Sequence, residues 1–242
     1  MTSNDSQESS AIPAMESASE TVRRIFGNDG SSLGAEIADE ASRYERLNAA
    51  LFPLPSRTRC MAVANQKGGV GKTTTTVNIA AALASHGAHV LVIDMDPQGN
   101  ASTACGVPHG TSDPSVYDVL EGRMTIGEVL KTCPDIPGLD VVPASIELSG
   151  AELEVADLPN RNNLLKEAVE SFLQDPNNHY DYVLVDCPPS LGLLVINSMC
   201  AVSEMLIPIQ AEYYALEGLG QLINTIGLVQ EQIGRASCRE RV

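Results

Sequence analysis

Short, nearly continuous apolar runs recur through the middle of the chain and alternate with longer segments of helical spacing. Each run has the length and composition of a strand that is buried on both faces of a parallel sheet. The runs are Cys60–Ala64, His89–Asp94, Leu139–Ala144, Tyr180–Asp186 and Met205–Gln210. Between them, Val77–Ala84, Asn163–Leu173 and Leu193–Ala201 follow helical patterns. The alternation predicts an α/β fold, a mostly parallel twisted sheet with helices on both faces.

Smaller helices are predicted between the second and third runs. Ser115–Leu120 and Thr125–Leu130 each begin with a hydroxyl residue that can cap the first turn of a helix. Neither segment carries a recognisable chemical motif.

Residues 1–57 differ from the rest in composition, because Ser, Glu, Ala and Asp dominate their start and glycine and proline recur. We expect residues 1–15 to be disordered and Thr21–Phe26 to form a helical turn. Ala35–Leu51 has the spacing of an amphipathic helix, with an apolar face made of Ile37, Ala41, Tyr44, Leu47 and Leu51. This acidic, largely disordered extension is either a solvated tail with transient helix or a segment that contacts a partner or DNA.

Composition narrows the class of protein. Aromatic residues make up only 4% of the chain and Trp is absent, so the core must be aliphatic. No apolar run approaches the roughly 18 residues that a membrane-spanning helix needs, and the first residues do not resemble a signal peptide. The six cysteines show no C-x-x-C pairing, which favours a reduced, cytoplasmic protein. The four histidines are scattered, and we expect all of them to be surface or edge residues: His86, His89, His109 and His179.

A glycine-rich stretch, Asn65–Thr74, follows the first apolar run and precedes a helical pattern. Strand, glycine loop and helix in this order are the context of a phosphate-binding loop. The backbone N–H groups of Gly68, Gly69, Val70 and Gly71 can surround phosphate oxygens, and the helix N-terminus favours the negative charge. Lys72 is predicted to contact the β/γ-phosphates, and the Thr73 hydroxyl is predicted to ligate Mg²⁺. Thr74, at the start of the helix, is also predicted to bind the nucleotide. The alternative is an ordinary glycine-rich turn.

The loop departs from the usual G-x-x-x-x-G-K-[ST] pattern. Gln66 occupies the position of the first glycine, and a second lysine, Lys67, precedes the paired glycines. The Lys67/Lys72 pair resembles the deviant Walker A motif of the ParA/MinD ATPases, K-G-G-x-x-K-[ST]. The resemblance implies that Lys67 crosses a dimer interface and contacts the partner's nucleotide, so that two copies of the chain enclose ATP.

Two further apolar runs end on carboxylates, and strand ends are where ligands bind in open α/β sheets. Asp94–Asn100 resembles the D-x-D-P-Q-G-N segment of ParA proteins, which implies that Asp96 orients the attacking water and that Asp94 supports the Mg²⁺ shell. The run that ends at Asp186 has a Walker B arrangement, in which Asp186 holds Mg²⁺ through a water. Cys187–Gly192 resembles the family's switch II segment.

The resemblance covers roughly residues 60–232 and adds the pattern P-x-Q-x-E-Y-Y-A-L-E-G from Pro208 onwards. Tyr213 and Tyr214 in that pattern either pack near a dimer face or are ordinary aromatics at a helix start. The implied function is that of a ParA/Soj-type P-loop ATPase for chromosome or plasmid partition, with a ParB-type partner and non-specific, nucleoid-associated DNA binding. The alternative is a MinD-like ATPase that positions a cargo at a membrane or on a cellular assembly. A nitrogenase iron-protein-like electron carrier is disfavoured, because no cluster-binding cysteine motif is present.

The last residues, 233–242, resemble the in-frame translation of a widely used sequencing-library adapter. We therefore expect residues 58–232 to be an incomplete P-loop ATPase domain and the last segment not to be native. The alternative is a genuine basic C-terminal tail. The formal net charge of −16 opposes non-specific DNA binding. In the family the DNA-facing basic residues lie largely in the C-terminal portion, so we expect this chain to keep the phosphate chemistry without a complete DNA-binding face.

Overall fold

A computed structural model describes residues 24, 32–48, 53–155, 158, 160–190, 192–210, 220, 222–228 and 239–240. The chain divides at Pro53 into two units. In the first unit, helix α1 spans Ser32–Asn48, which confirms a helix here but starts it earlier than the predicted Ala35. Of the predicted turn at Thr21–Phe26 only Arg24 is described, and it is helical. Residues 1–15 lie outside the described part.

The apolar face predicted for α1 is largely exposed. Ile37, Tyr44 and Leu47 are 38%, 67% and 51% exposed. Periodicity correctly predicted that these side chains share one face of a helix, but periodicity cannot specify what that face packs against.

The second unit is built on one twisted sheet. Its strands are β1 (Arg59–Val63), β2 (Val90–Asp94), β3 (Lys131–Thr132), β4 (Leu139–Val142), β5 (Tyr182–Asp186), β6 (Glu204–Leu206) and β7 (Arg239–Glu240). Their order across the sheet is β3-β4-β2-β5-β1-β6-β7. Every neighbouring pair is parallel except β3–β4, which confirms the predicted mostly parallel sheet. The sequence pattern did not predict β3 or β7, because two residues are too few for a periodicity.

Helices connect the strands. They are α2 (Lys72–Ser85), α3 (Asn100–Ala104), α4 (Val116–Leu120), α5 (Ile126–Val129), α6 (Leu148–Glu154), α7 (Leu164–Gln174) and α8 (Leu193–Ala201). Residues 222–228 are also helical, whereas the predicted helix start at 211–219, with Tyr213 and Tyr214, lies outside the described residues. The two short predicted helices are confirmed, and both carry a capping box. Ser115 Oγ accepts from Tyr117 N, and the carboxylates of Asp118 and Glu128 accept from the backbone N–H groups of the N-cap residues Ser115 and Thr125.

Alternate side chains along each strand enter cores on opposite faces of the sheet. On β2, Val90 and Val92 pack with α2 and α3 on one face. Leu91 and Ile93 pack on the other face with residues of α4 to α8. Helices therefore cover both faces, as predicted.

The register of the central strands defines one edge of the sheet. Val63 at the end of β1 pairs with Asp186 at the end of β5, and Asp186 pairs with Asp94 at the end of β2. The carboxyl ends of the three strands thus lie side by side, where ligands bind in open α/β sheets. Among the described helices, none is both long enough and apolar enough to cross a membrane.

Candidate functional site

The loop between β1 and α2 has a backbone that glycine makes possible. Gly69 has φ +74° and Gly71 has φ +92°, in the left-handed region that side chains with a Cβ rarely adopt. Gly71 is the N-cap of α2, and its carbonyl accepts the first helical bond from Thr75 N at 2.8 Å. A Cβ added at Gly68 or Gly69 would meet no atom within 4 Å. The loop is therefore open at Gly68 and Gly69 and ends at the N-terminus of α2.

The two lysines of the loop have different environments. Lys72 is only 7% exposed, and its Nζ donates to the carbonyl oxygen of Lys67 at 3.3 Å, across the inside of the loop. Lys67 is half-buried, and its Nζ lies 3.4 Å from Gln210 Oε1 at the surface. The Lys72 ammonium is thus buried inside the loop, whereas the Lys67 ammonium has an exposed contact with Gln210.

Two residues that sequence reasoning left without a role hold this loop in place. Asn65 Oδ1 accepts a bond from Lys67 N at 3.0 Å, and Asn65 Nδ2 donates to Pro208 O at 2.8 Å. Gln210 Nε2 donates to Gly69 O at 3.2 Å. Both residues stood in quoted motifs, but the distance in sequence between the loop and Gln210 concealed their contact.

Asp186 is fully buried beside the start of α2. Thr73 Oγ1 donates to Asp186 Oδ2 at 2.7 Å, and Thr76 Oγ1 lies 3.0 Å from Asp186 Oδ1. Burial raises the pKa of Asp186 to about 7; the Thr73 hydrogen bond opposes the rise, and the nearby Asp94 carboxylate adds to it. The Thr73 hydroxyl and the Asp186 carboxylate are therefore adjacent, as the sequence predicted, and Thr76 is an additional contact.

Asp94 has a different set of partners, although it also ends a strand. Its Oδ2 accepts from Ser102 N at 2.8 Å and from Ser102 Oγ at 2.7 Å, and its Oδ1 accepts from Asp96 N at 3.1 Å. Burial raises the pKa of Asp94 above its ordinary value, although the two hydrogen bonds from Ser102 oppose the rise. Asp94 thus anchors the turn that carries Asp96. Its predicted support of a metal shell remains a prediction, and the geometry favours an indirect route through that turn.

Asp96 begins a tight turn between β2 and α3. Its Oδ1 accepts from Gln98 N at 3.0 Å, and its carbonyl accepts from Gly99 N at 2.9 Å. The side chain is 9% exposed. The turn therefore fixes the Asp96 carboxylate at the same sheet edge as Asp186 and the loop.

The side chains and backbone groups at this site fit a nucleotide with bound Mg²⁺. Mg²⁺ is usually held by one or two carboxylates together with waters and substrate phosphates, not by a cage of side chains. In the described part of the chain no cluster of three or more His, Cys, Asp or Glu side chains could hold a metal by itself. The Thr73 hydroxyl and the Asp186 carboxylate, beside a loop of N–H donors, match the arrangement in which few protein ligands share Mg²⁺ with waters and phosphates.

Asp186 should make the metal-free protein less stable as the pH rises. Because its folded pKa of about 7 lies above the ordinary 3.8, unfolding releases a proton between about pH 4 and pH 7, so the free energy of unfolding falls across this window. Asp186→Asn stays neutral, so without Mg²⁺ or nucleotide it should unfold at a higher temperature than the wild type at about pH 8. The difference should shrink towards about pH 5 in thermal unfolding scans.

Asp135→Asn, at an exposed position, is the matched control and should show no such dependence on pH. An Asp186→Asn protein that melts below the wild type by the same amount at both pH values would contradict the assignment.

Comparisons with known proteins agree with this geometry. The family model AAA_31, an AAA domain, matches residues 58–237. The chain is 47% identical over 175 residues to the sporulation initiation inhibitor protein Soj of Bacillus subtilis, covering 72% of this chain and 67% of Soj. It is 47% identical over 173 residues to the chromosome partitioning protein ParA of Caulobacter vibrioides, covering 71% of this chain and 63% of ParA.

Among solved structures, the chain is similar to a cobyrinic acid a,c-diamide synthase from Mycobacterium smegmatis with bound ATP analog and magnesium. The two have a TM-score of 0.66 and 40% identity, over 72% of this chain and 69% of that one. The chain spans 59–67% of the length of the Soj and ParA relatives that it matches. The predicted resemblance is confirmed: the chain belongs to the AAA_31 family of AAA domains and is similar within it to the Soj and ParA partitioning proteins.

Proposed function

We propose that this chain is a MgATP-hydrolysing switch that pairs two copies of itself, and that the whole protein uses the switch to partition DNA. The observation that carries the proposal is the assembly at the start of α2. There a buried lysine, a threonine hydroxyl and a buried aspartate converge on a loop of positive-φ glycines. Such an assembly provides what phosphoryl transfer needs, namely positioning and neutralisation of charge.

Each residue of the loop has a distinct task in the proposal. The backbone N–H groups of residues 68–71 and the N-terminus of α2 bind phosphate oxygens. The Lys72 ammonium exchanges its bond with the Lys67 carbonyl for the β/γ-phosphates. The hydroxyl of Thr73 and the carboxylate of Asp186, the latter through a water, would hold Mg²⁺, and the bound ion would withdraw charge from the phosphate oxygens.

Asp96 is proposed to orient the attacking water. Its carboxylate is fixed by Gln98 N, and its backbone is fixed by Asp94. Such a rigid acceptor can hold a water in line with the terminal phosphate without reorganising during the reaction. Asp94 and Asp186 have unlike partners, so they perform unlike tasks although both end buried strands.

Lys67 is proposed to act across a dimer interface. Its Nζ lies 3.4 Å from Gln210 Oε1 in an exposed contact, whereas Lys72 Nζ is buried and donates to the Lys67 carbonyl inside the loop. A lysine so placed can contact the terminal phosphates in a second copy. ATP would then join two copies, and hydrolysis would release them.

For the whole protein we propose a ParB-type partner, non-specific DNA and a place on the nucleoid, because the similar ParA of Caulobacter vibrioides and Soj of Treponema pallidum are chromosome-partitioning proteins by name. The formal net charge of −16 opposes DNA binding by this chain alone. DNA contact is therefore proposed for the whole protein only. A cargo-positioning ATPase would share the same switch and differ in its partner.

A second candidate is ATP-dependent amide synthesis, because the 40% identical solved structure carries that name. Such an enzyme would need a carboxylate acceptor and an amine donor before it consumed ATP productively. Steady phosphate release from MgATP alone would favour the switch, and release that depends on a corrinoid acid acceptor would favour the synthase.

Lys67→Ala tests the switch. For the wild type, phosphate release per molecule should rise with protein concentration, because the active form is a pair. For Lys67→Ala the concentration dependence should disappear and the rate should fall at least about tenfold, since one charge-assisted contact contributes roughly 1.5–3 kcal/mol. Lys166→Ala, on α7 where Lys166 pairs with Glu170, is the matched control and should behave as the wild type. A Lys67→Ala protein with unchanged rate and concentration dependence would refute the paired site.

A further inference from the structure

His109, which we expected to be an unremarkable surface residue, lies directly against the turn that carries Asp96. A Cβ built on Gly99 would lie 2.7 Å from His109 Nδ1 and 2.8 Å from His109 Cε1. Such distances mean that the imidazole packs on the Gly99 backbone. Gly99 has φ +63°, and its N–H donates to Asp96 O at 2.9 Å. His109 therefore contacts the closing residue of the Asp96 turn.

Thr103 links the imidazole to the same turn. Both Thr103 N and Thr103 Oγ1 donate to Gly99 O, at 2.9 Å and 3.0 Å. His109 Nε2 lies 2.8 Å from Thr103 Oγ1. The tautomer of the imidazole decides which of the two groups donates, and in either case Thr103 Oγ1 lies within hydrogen-bond distance of both His109 Nε2 and Gly99 O. The histidine thus contacts Gly99 directly and through Thr103.

The loop that carries His109 is held in turn by its neighbours. Val107 N donates to Ser102 O at 3.1 Å, and Ser102 is the residue that binds Asp94. Lys131 Nζ donates to Pro108 O at 2.7 Å. On the other side of the histidine, Gly110 N donates to Asp113 Oδ2 at 2.8 Å. His109 is therefore fixed from both sides and can restrain the turn it touches.

We propose that His109 is a positioning residue that clamps the Asp96–Gly99 turn and so sets the place of the Asp96 carboxylate. The inference rests on the proposed function, in which Asp96 orients the attacking water. A displacement of about 1 Å at such a residue can cost up to about 100-fold in rate. The clamp holds the turn that carries Asp96 and not the phosphate loop. It should therefore affect turnover and not the affinity for the nucleotide.

His109→Ala should lower kcat about tenfold and change KM for ATP less than about twofold, since it loosens one hydrogen-bonded contact. His109→Gln, whose Nε2 can donate to Thr103, should recover most of the loss. His179→Ala is the matched control, because His179 is 74% exposed just before β5, away from the strand end that carries Asp186. An unchanged kcat for His109→Ala, or a change in KM of the same size as in kcat, would overturn the proposal.

A double-mutant cycle tests the contact itself. Gly99→Ala should lower kcat, because its Cβ clashes with the imidazole and its backbone is strained at positive φ. Adding His109→Ala removes the clash, so the double variant should lose less than the product of the two single losses. Losses that simply multiply would overturn the contact.

A readout without ATP separates this inference from the proposed function. The N–H groups of Gly99 and Thr103 should exchange with deuterium about tenfold faster in His109→Ala than in the wild type, because the clamp on their acceptors is loosened. Faster exchange in a protein that releases no phosphate would support the clamp and refute the ATPase. Unchanged exchange would refute the clamp whatever the ATPase result.

Discussion

Lys72→Ala is expected to weaken the binding of a magnesium–ATP analogue at least about 100-fold. Lys72 is buried at the N-terminus of α2, with its Nζ inside the loop. Each hydrogen bond to a charged group contributes roughly 1.5–3 kcal/mol, and an ammonium that bridges two phosphates makes at least two such bonds. A loss of about 3 kcal/mol corresponds to roughly 100-fold or more in Kd.

Isothermal titration calorimetry with a non-hydrolysable ATP analogue and Mg²⁺ measures this directly. Lys166→Ala is again the matched control, since it also removes one lysine charge but from α7, where Lys166 pairs with Glu170. Circular dichroism of both variants checks that they are folded. A Kd for Lys72→Ala within about threefold of the wild type would contradict the placement of the phosphates in this loop.

Asp96→Ala should separate hydrolysis from binding. Its carboxylate is held by Gln98 N on the turn after β2 and makes no bond to the phosphate loop. Positioned acid–base side chains typically contribute 100-fold to 10,000-fold, so single-turnover phosphate release should fall at least about 100-fold. The affinity for the ATP analogue should stay within about threefold.

Asp96→Asn distinguishes charge from shape, because an asparagine can still accept the bond from Gln98 N. If orientation of the water requires the carboxylate charge, Asp96→Asn should be as slow as Asp96→Ala. Asp135→Ala, at an exposed position, should hydrolyse as the wild type. An Asp96→Ala protein with wild-type release would remove Asp96 from the mechanism.

The sheet and the site edge could be predicted from the sequence because both depend on local pattern. Continuous apolar runs specify strands buried on both faces. An aspartate at the end of two such runs must lie at the carboxyl edge, and the register places Asp94 beside Asp186. A glycine loop after β1 must start at the same edge. This edge could be predicted without knowing the order of the strands or which strands pair with each other.

The different environments of the two aspartates could not be predicted. Both end an apolar run; the Walker B arrangement predicted a metal role for Asp186, and the resemblance to ParA proteins implied one for Asp94. Their partners come from different helices, Thr73 and Thr76 from α2 for Asp186, and Ser102 from α3 for Asp94. Only tertiary packing decides which hydroxyl reaches which carboxylate.

No sequence pattern indicated which residues Gln210 and His109 contact. Gln210 follows β6 and Lys67 follows β1, two strands that pair in parallel, and no spacing rule relates residues that far apart in the chain. His109 reaches Gly99 because the loop after α3 folds back, which an isolated histidine in a scattered set does not indicate. Side chains that position a site from irregular loops are therefore the part that needs a structure.

The most direct test of the central claim, that MgATP joins two copies of the chain through this loop, is the mass in solution of the Asp96→Ala protein. Light scattering with saturating MgATP should give twice the chain mass of 25.6 kDa, since nucleotide binds and is not hydrolysed. The same protein without ATP, and the Asp96→Ala/Lys67→Ala variant with ATP, should both stay at 25.6 kDa. A single-chain mass for Asp96→Ala with MgATP bound, or an equal mass in the presence and absence of Lys67, would contradict the account.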